Sequence, residues 1–231
     1  MEVHYKMEER NPTPVDSTKF VMIESSDTQV TVHAPLLAYH SQHFRRILNN
    51  LPLGKETHSV RIDKPFHGDV LQLFVDWVYM KSAEQVLEDK SNGIASKYRH
   101  SVFVQAWVFG DYIHAPIFQN DVAFYIMWAN TGSFDWIKDM EAQWDYVPRG
   151  STLESLLMNM VCETLIESYP DEVKEHLNQL PLDIAQKVIH LLVQGIQGQS
   201  AQSNPLEIRG GEFKWDIGKF EKYRLKEEHE V

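Results

Sequence analysis

Alternating apolar and polar residues mark three short segments in the first third of the chain. KFVMIES (19–25) and QVTVHA (29–34) each place two branched apolar side chains on one face, and a Ser-Ser-Asp turn separates them. Alternation with a period of two is typical of strands that are buried on one face. The pattern therefore predicts a β-hairpin, and HSVRID (58–63) predicts a third strand.

Apolar residues three and four positions apart predominate in the segments between and after these strands. This spacing places them on one face of a helix. Pro35 fits the first turn of a helix that continues through LLAYH, and Ser41 is a good N-cap for the helix that follows. The longer predicted helices cover residues 67–80, 101–114, 116–130, 151–166 and 181–194.

The helix that begins near residue 151 carries a capping signal. Either Ser151 or Thr152 can cap its first turn, and Glu154 or Ser155 stands where a capping box has its second partner. Pro170 is expected to stop this helix, because proline cannot continue a helix interior.

Polar segments divide the chain into four parts. We expect a flexible lead-in (1–18), a folded domain (19–130) with an inserted segment near 81–100, a helical extension (131–196), and a linker with a charged tail (197–231). The linker is rich in Gln, Ser and Gly, a composition that does not favour packing.

The tail carries aromatic residues among its charges. They could dock on the same chain or on a partner, and docking on the same chain is the interpretation that we favour. The residues are Phe213, Trp215, Phe220 and Tyr223.

Composition and charge narrow the functional classes. Hydrophobic residues make up 43% of the chain, enough for a folded core, and 33 acidic against 22 basic residues give a formal charge of -11. Nucleic-acid binding depends on clustered positive charge, and the sequence has no such cluster, so we expect no nucleic-acid partner. No apolar run has the roughly 20 residues of a membrane span, and the first residues are charged without an apolar h-region, so we do not expect secretion. We therefore expect a cytoplasmic or nuclear protein.

Three histidines, including His33, stand close together in the sequence. His40 and His43 are three positions apart and could share a helix face, which raises the question of a metal site. No carboxylate or cysteine completes a standard ligand spacing around them. We therefore predict no metal and no cofactor, and we expect His40 and His43 to be exposed on helix surfaces.

The sequence contains none of the common catalytic motifs. It has no G-x-S-x-G, H-E-x-x-H, P-loop or G-x-G-x-x-G. Cys162, the only cysteine, can form no disulfide within the chain, and it lies in an apolar helical stripe where we expect an inert core thiol. We predict that the chain is not an enzyme. The alternative is an unrecognised enzyme site in the C-terminal helices.

Three segments resemble the BTB (POZ) domain family. VTVHAPLLAYHSQHFRRIL (30–48) resembles the family pattern of an apolar residue, His, two leucines, Ser and Phe. SVRIDKPFHGDVLQLFVDWVYM (59–80) resembles its strand and following helix, and AWVFGDYIHAPIFQNDVAFYI (106–126) resembles its later helix pair. The resemblance covers roughly residues 17–130, about half of the chain. The residues that carry it are His33, Leu36, Leu37, Ser41, Phe44, Trp77, Gly110 and Asp111.

This resemblance implies an α+β fold in which a small mixed sheet packs with a cluster of helices. A helical C-terminal extension follows, as in BTB proteins of filamentous fungi. The resemblance also implies that the His33 imidazole is buried and hydrogen-bonded to the backbone. We expect Leu36 and Leu37 to lie buried between the hairpin and the long helix. The chain differs from the animal pattern because it lacks the Asp that often opens the first strand, and because residues 81–100 look inserted.

The function that the resemblance implies is protein–protein interaction, as a scaffold or adaptor. One alternative is a substrate adaptor of a cullin-based ubiquitin ligase. Such adaptors use the loop after the second helix, where an apolar residue is followed two positions later by Glu. In this chain Glu56 follows Leu53 by three positions and Lys55 takes the expected place of Glu, a charge reversal that weakens contacts. The candidate partner-contact residues of the loop are Leu51, Leu53, Lys55 and Glu56.

Self-association is a further expectation from the resemblance. Many animal BTB domains exchange an N-terminal helix and strand to form a tight dimer. Here Pro12 and Pro14 precede the first strand and would break any such helix. We therefore expect a monomer or a weak dimer without this exchange.

Overall fold

The structure, a computed structural model, describes residues 19–25, 28–50, 57–79, 100–129, 135–167 and 170–198. These residues divide after Ala129 into two compact units. The first contains β1 (Phe20–Glu24), β2 (Gln29–His33), α1 (Ala34–His40), α2 (Gln42–Asn49), β3 (Thr57–Arg61), α3 (Gly68–Tyr79), α4 (His100–Tyr112) and α5 (Pro116–Ala129). The second contains α6 (Asp135–Met140), a 3-10 turn (Glu141–Gln143), α7 (Thr152–Glu167), α8 (Pro170–Asn178) and α9 (Leu182–Gly198). The predicted α+β class is confirmed.

The three strands form one mixed sheet in the order β2-β1-β3. β1 and β2 are antiparallel, with Val21 opposite Val32 and Ile23 opposite Val30, while β3 runs parallel to β1. The apolar residues of the alternating pattern are buried on one face, and α3 packs against β2. The period of two therefore located this hairpin correctly.

Aromatic side chains join the helices of the first unit around α3. The Phe74 ring lies 6.3 Å from the ring of Phe44 on α2, 5.5 Å from Phe109 on α4 and 5.1 Å from Phe118 on α5, measured between centroids. All four rings are fully buried. Aromatic pairs at these distances add to the free energy of burial, so this cluster fixes the arrangement of four helices.

The two leucines of α1 have different environments. Leu37 is completely buried, whereas Leu36 is only half-buried. The prediction that both are buried is therefore wrong for Leu36. Neighbouring residues point about 100° apart around a helix, so a helix of seven residues that packs on one side buries only one of the pair.

The core of the second unit lies between α7 and α9, which pack against each other. Leu157 and Val161 of α7 are buried, as are Ile184 and Val188 of α9. Both helices were predicted from the spacing of these apolar residues. None of the described helices, in either unit, is long and apolar enough to cross a membrane.

Three features of the second unit differ from prediction. Pro170 begins α8 instead of only ending the preceding helix, because proline is tolerated in a first turn where its missing N–H has no helical partner. α9 continues to Gly198, into the segment that was predicted to be a linker. α6 was not predicted, since its six residues are too few to show a helical period.

Candidate interaction surface

Ser41 joins the first helix pair of the first unit to the second. It ends α1 in an extended conformation, and its Oγ accepts a hydrogen bond from the Phe44 N–H (3.2 Å), which caps α2 as predicted. The same hydroxyl donates to the Ile113 carbonyl oxygen (2.5 Å). The His43 N–H also donates to the Ile113 carbonyl oxygen (3.3 Å). Residues of the segments 30–48 and 106–126 therefore meet at one buried point.

Gly110 allows α4 and α5 to lie close together. A Cβ atom at this position would lie 2.6 Å from Gln119 Cγ and 3.1 Å from Phe118 Cδ1. The neighbouring Asp111 is exposed, and its carbonyl oxygen accepts from the His114 N–H (3.1 Å) in the turn between the helices. Gly110 is thus a packing residue, and Asp111 contributes its backbone to the turn.

Trp77 has a buried polar partner that the sequence pattern did not predict. Its indole Nε1–H donates to Asp121 Oδ2 at 2.8 Å, and both side chains are buried. The bond ties α3 to α5. Asp121 is the one carboxylate of the apolar segment FQNDVAFYI. A lone acid on a helix with a buried face is a sequence feature that could have indicated a buried hydrogen-bond partner.

His33 and Tyr79 connect the start of α1 to the end of α3. The Tyr79 hydroxyl accepts from the His33 backbone N–H (3.0 Å) and lies 2.7 Å from His33 Nδ1. The hydroxyl can donate to Nδ1 when the imidazole carries its proton on Nε2. The half-buried ring of His33 also packs against Phe20, 4.4 Å between centroids. The expectation of a buried imidazole with a backbone partner is therefore wrong, because the ring is only half-buried and its partner is a tyrosine hydroxyl.

Exposed aromatic side chains lie on α1 and at the end of α3. Tyr39 is 45% exposed and Tyr79 is 44% exposed, and both are large apolar side chains. His40 packs between Tyr39 and Trp77, with ring centroids 4.9 and 4.7 Å away. We call Tyr39, His40 and Tyr79, together with His33, the α1–α3 aromatic face. Side chains with an apolar body and a polar tip are enriched in protein interfaces, so this face can bind another protein.

The histidines considered as metal ligands do not share a helix. His40 ends α1 and His43 lies in α2, because Ser41 interrupts the helix between them. Both are half-buried, so the prediction of exposed histidines is wrong. Burial, and then the nearby charge of His114, lowers the pKa of His43 below its usual value. Within the described ranges, no three His, Cys, Asp or Glu side chains are grouped as a metal site.

Glu154 is a buried carboxylate in the second unit. Ser151 caps α7 by accepting from the Glu154 N–H (3.1 Å), and Glu154 Oε2 accepts from the Gly150 N–H (2.7 Å), a variant of the predicted capping box. Lys187 Nζ on α9 lies 2.7 Å from Glu154 Oε1, and Arg149 NH1 lies 3.4 Å away. Burial by itself would raise the pKa of this carboxyl, but these donors and the Lys187 charge together hold it below its ordinary value. Glu154 therefore fastens α7 to α9.

Cys162 lies in the environment of a core thiol. It is fully buried in α7, and its Sγ lies 3.8 Å from the Val188 carbonyl oxygen. Burial, reinforced by the charge of Glu163, raises the pKa of the thiol to about 12. A thiol in this state is not a nucleophile at neutral pH.

Several predicted residues lie outside the described ranges. These are the partner-contact loop residues Leu51, Leu53, Lys55 and Glu56, the segment 81–99, the lead-in 1–18, and the tail aromatics. Comparisons of the chain with family models, with curated proteins and with solved structures find no match.

Proposed function

We propose that the first unit is a protein–protein interaction module of the BTB (POZ) type that acts as a scaffold or adaptor. The observation that carries the proposal is the buried hydrogen bond from Ser41 Oγ to the Ile113 carbonyl oxygen. It joins two segments that resemble the family independently in sequence. The mixed sheet, with β3 parallel to β1, and the helix pairs on either side of α3 further support this fold.

The chemistry of the buried polar groups favours binding over catalysis. Asp121 accepts from an indole N–H, and Glu154 is held by three donors, so neither carboxylate is arranged as a general base. The single thiol is buried with a raised pKa. Exposed tyrosines beside half-buried histidines suit a surface that contacts another protein.

The partner surface that we propose is the α1–α3 aromatic face. Tyr39→Glu would place a charge among these residues without disturbing the core, since Tyr39 is exposed. Tyr146→Glu is a matched control, because Tyr146 is an equally exposed tyrosine of the second unit. Full-length wild type and both variants would be used for affinity capture from the host, and the captured protein would be purified and titrated.

We expect the wild type and Tyr146→Glu to bind the same protein with a Kd below about 10 μM, and Tyr39→Glu to bind at least tenfold more weakly. Equal binding by all three would show that the face is the wrong surface. If none of the captured proteins binds after purification, the interaction-module proposal itself is contradicted.

We further propose that the main partner is not a cullin, because Lys55 reverses the charge expected at that contact. Titration with the N-terminal domain of the host's cullin tests this directly. Submicromolar binding that is lost on Leu53→Ala or Glu56→Ala would support the ubiquitin-ligase adaptor instead.

A further inference from the structure

α9 exposes an apolar stripe to solvent in the second unit. Leu182 is 76% exposed, Ile189 is 47% exposed and Val193 is 44% exposed. Spacings of seven and four residues bring them within about 40° of each other around the helix axis. We call these three residues the α9 stripe. The opposite face of the helix, with Ile184 and Val188, is buried against α7, so α9 is apolar on two sides.

The tail that follows α9 contains a segment with a complementary pattern. Phe213, Ile217 and Phe220 are spaced by four and three residues, which predicts one apolar face within about 60° on a helix. Trp215 falls on the opposite side, and charged residues fill most of the remaining positions. Gly210 and Gly211 stand before this segment, where a turn is easily made.

The tail can reach the whole stripe. α9 ends at Gly198, about 15 residues before Phe213, and an extended chain of that length spans about 50 Å. The far end of the stripe, Leu182, lies only about 24 Å back along the helix. An antiparallel path therefore brings the apolar face of the tail onto the stripe.

Attachment to the same chain favours this occupant over a second copy. A tethered segment has an effective concentration in the millimolar range, so a small apolar contact suffices. A stable interface between separate proteins uses about 20–30 residues a side, far more than three side chains. We infer that residues 212–224 fold back as an amphipathic helix and dock, within the same chain, on the α9 stripe formed by Leu182, Ile189 and Val193.

Limited proteolysis of the full chain tests this inference, because trypsin cleaves after Lys222 only when the tail is undocked. Ile189→Ser with Val193→Ser changes exposed side chains, so circular dichroism of this variant should match the wild type. We expect cleavage after Lys222 to be at least about tenfold faster in this variant, and also in Phe213→Ser with Phe220→Ser.

Two controls separate docking from general loosening. Trp215→Ser alters the opposite side of the tail segment, and Tyr146→Ser alters another exposed residue of the second unit, so both should be cleaved at the wild-type rate. Equal rates in all variants, or a control as fast as the stripe variant, would overturn the inference. The wild type would also be digested at two protein concentrations about fiftyfold apart. Slower cleavage after Lys222 at the higher concentration would assign the stripe to a second copy of the chain, and this result would also overturn the inference.

Discussion

Replacing Leu37 by alanine removes a side chain that is completely enclosed at the centre of the first unit. Truncation loses about 2–2.5 kcal/mol of transfer free energy at about 0.8 kcal/mol for each buried carbon group. A cavity term is added because α1 cannot shift to fill the space. The Ala34 N–H donates to the Lys19 carbonyl oxygen at one end, and Ser41 holds the other end. We expect a total loss of about 3–4 kcal/mol in the free energy of unfolding.

Leu36→Ala is the matched control for this change. It makes the same truncation in the neighbouring residue of the same helix, but Leu36 is only half-buried. We expect it to cost about 1–1.5 kcal/mol. Leu37→Asp would bury an unpaired charge, and we expect no soluble folded protein from it.

Urea unfolding of the full chain, followed by circular dichroism, measures these differences. The comparison is valid if the slope of the unfolding free energy against urea concentration is the same for all variants. Equal losses for Leu36→Ala and Leu37→Ala would show that burial does not decide the cost of truncating a leucine in α1. A Leu37→Asp protein with the melting curve of the wild type would refute the placement of Leu37 in the core.

Two other predictions concern contacts described above, and a third concerns self-association. Gly110→Ala gains about 1 kcal/mol of helix propensity but forces a Cβ against Gln119, so we expect a net loss of about 1 kcal/mol and a lower melting temperature. Glu154→Gln should destabilise the second unit by about 1–2 kcal/mol at pH 7, in urea titrations. Because the folded pKa of Glu154 is depressed, its contribution is present above the unfolded pKa and is lost as the pH falls through the folded pKa. The gap between Glu154→Gln and wild type should therefore begin to narrow as the pH falls below the usual Glu pKa of about 4.3, and it should close as the pH falls below the lower folded pKa. A constant gap would contradict the role of its charge. Light scattering should show a monomer or weak dimer, and a tight dimer lost on deleting residues 1–18 would show that the N-terminal exchange does occur.

Local patterns in the sequence were enough to predict the strands and most helices. Val21 and Ile23 alternate because one face of the sheet is buried, and the spacing of Leu157 and Val161 reports the core side of α7. The helix that begins at Pro170 was not predicted, because proline is common both after a helix and in the first turn of one. The end of α9 was predicted too early, because its last residues are glutamines and glycines apart from one isoleucine. A helix that tertiary packing already holds can continue through such residues.

Contacts between distant segments were harder to predict. The partner of His33 is the hydroxyl of Tyr79, 46 positions away, and no local pattern distinguishes it from a backbone acceptor. The Trp77–Asp121 hydrogen bond joins two helices through residues that are 44 positions apart in the sequence. Leu36 and Leu37 look alike in sequence, and only the direction of α1 against its neighbours decides which is buried. Periodicity gives the face of an element, whereas side-chain pairing depends on how the elements meet.

The parallel pairing of β1 with β3 has a consequence for how the first unit folds. Ser59 on β3 donates to Glu24 on β1 (2.6 Å) across 35 positions, and the chain between them includes β2, α1 and α2. The hairpin of β1 and β2 can form early, but β1 gains its second neighbour only after that whole stretch has closed into a loop. Loop closure of this kind is entropically unfavourable until the enclosed helices pack, so the unit should cross one slow, cooperative barrier.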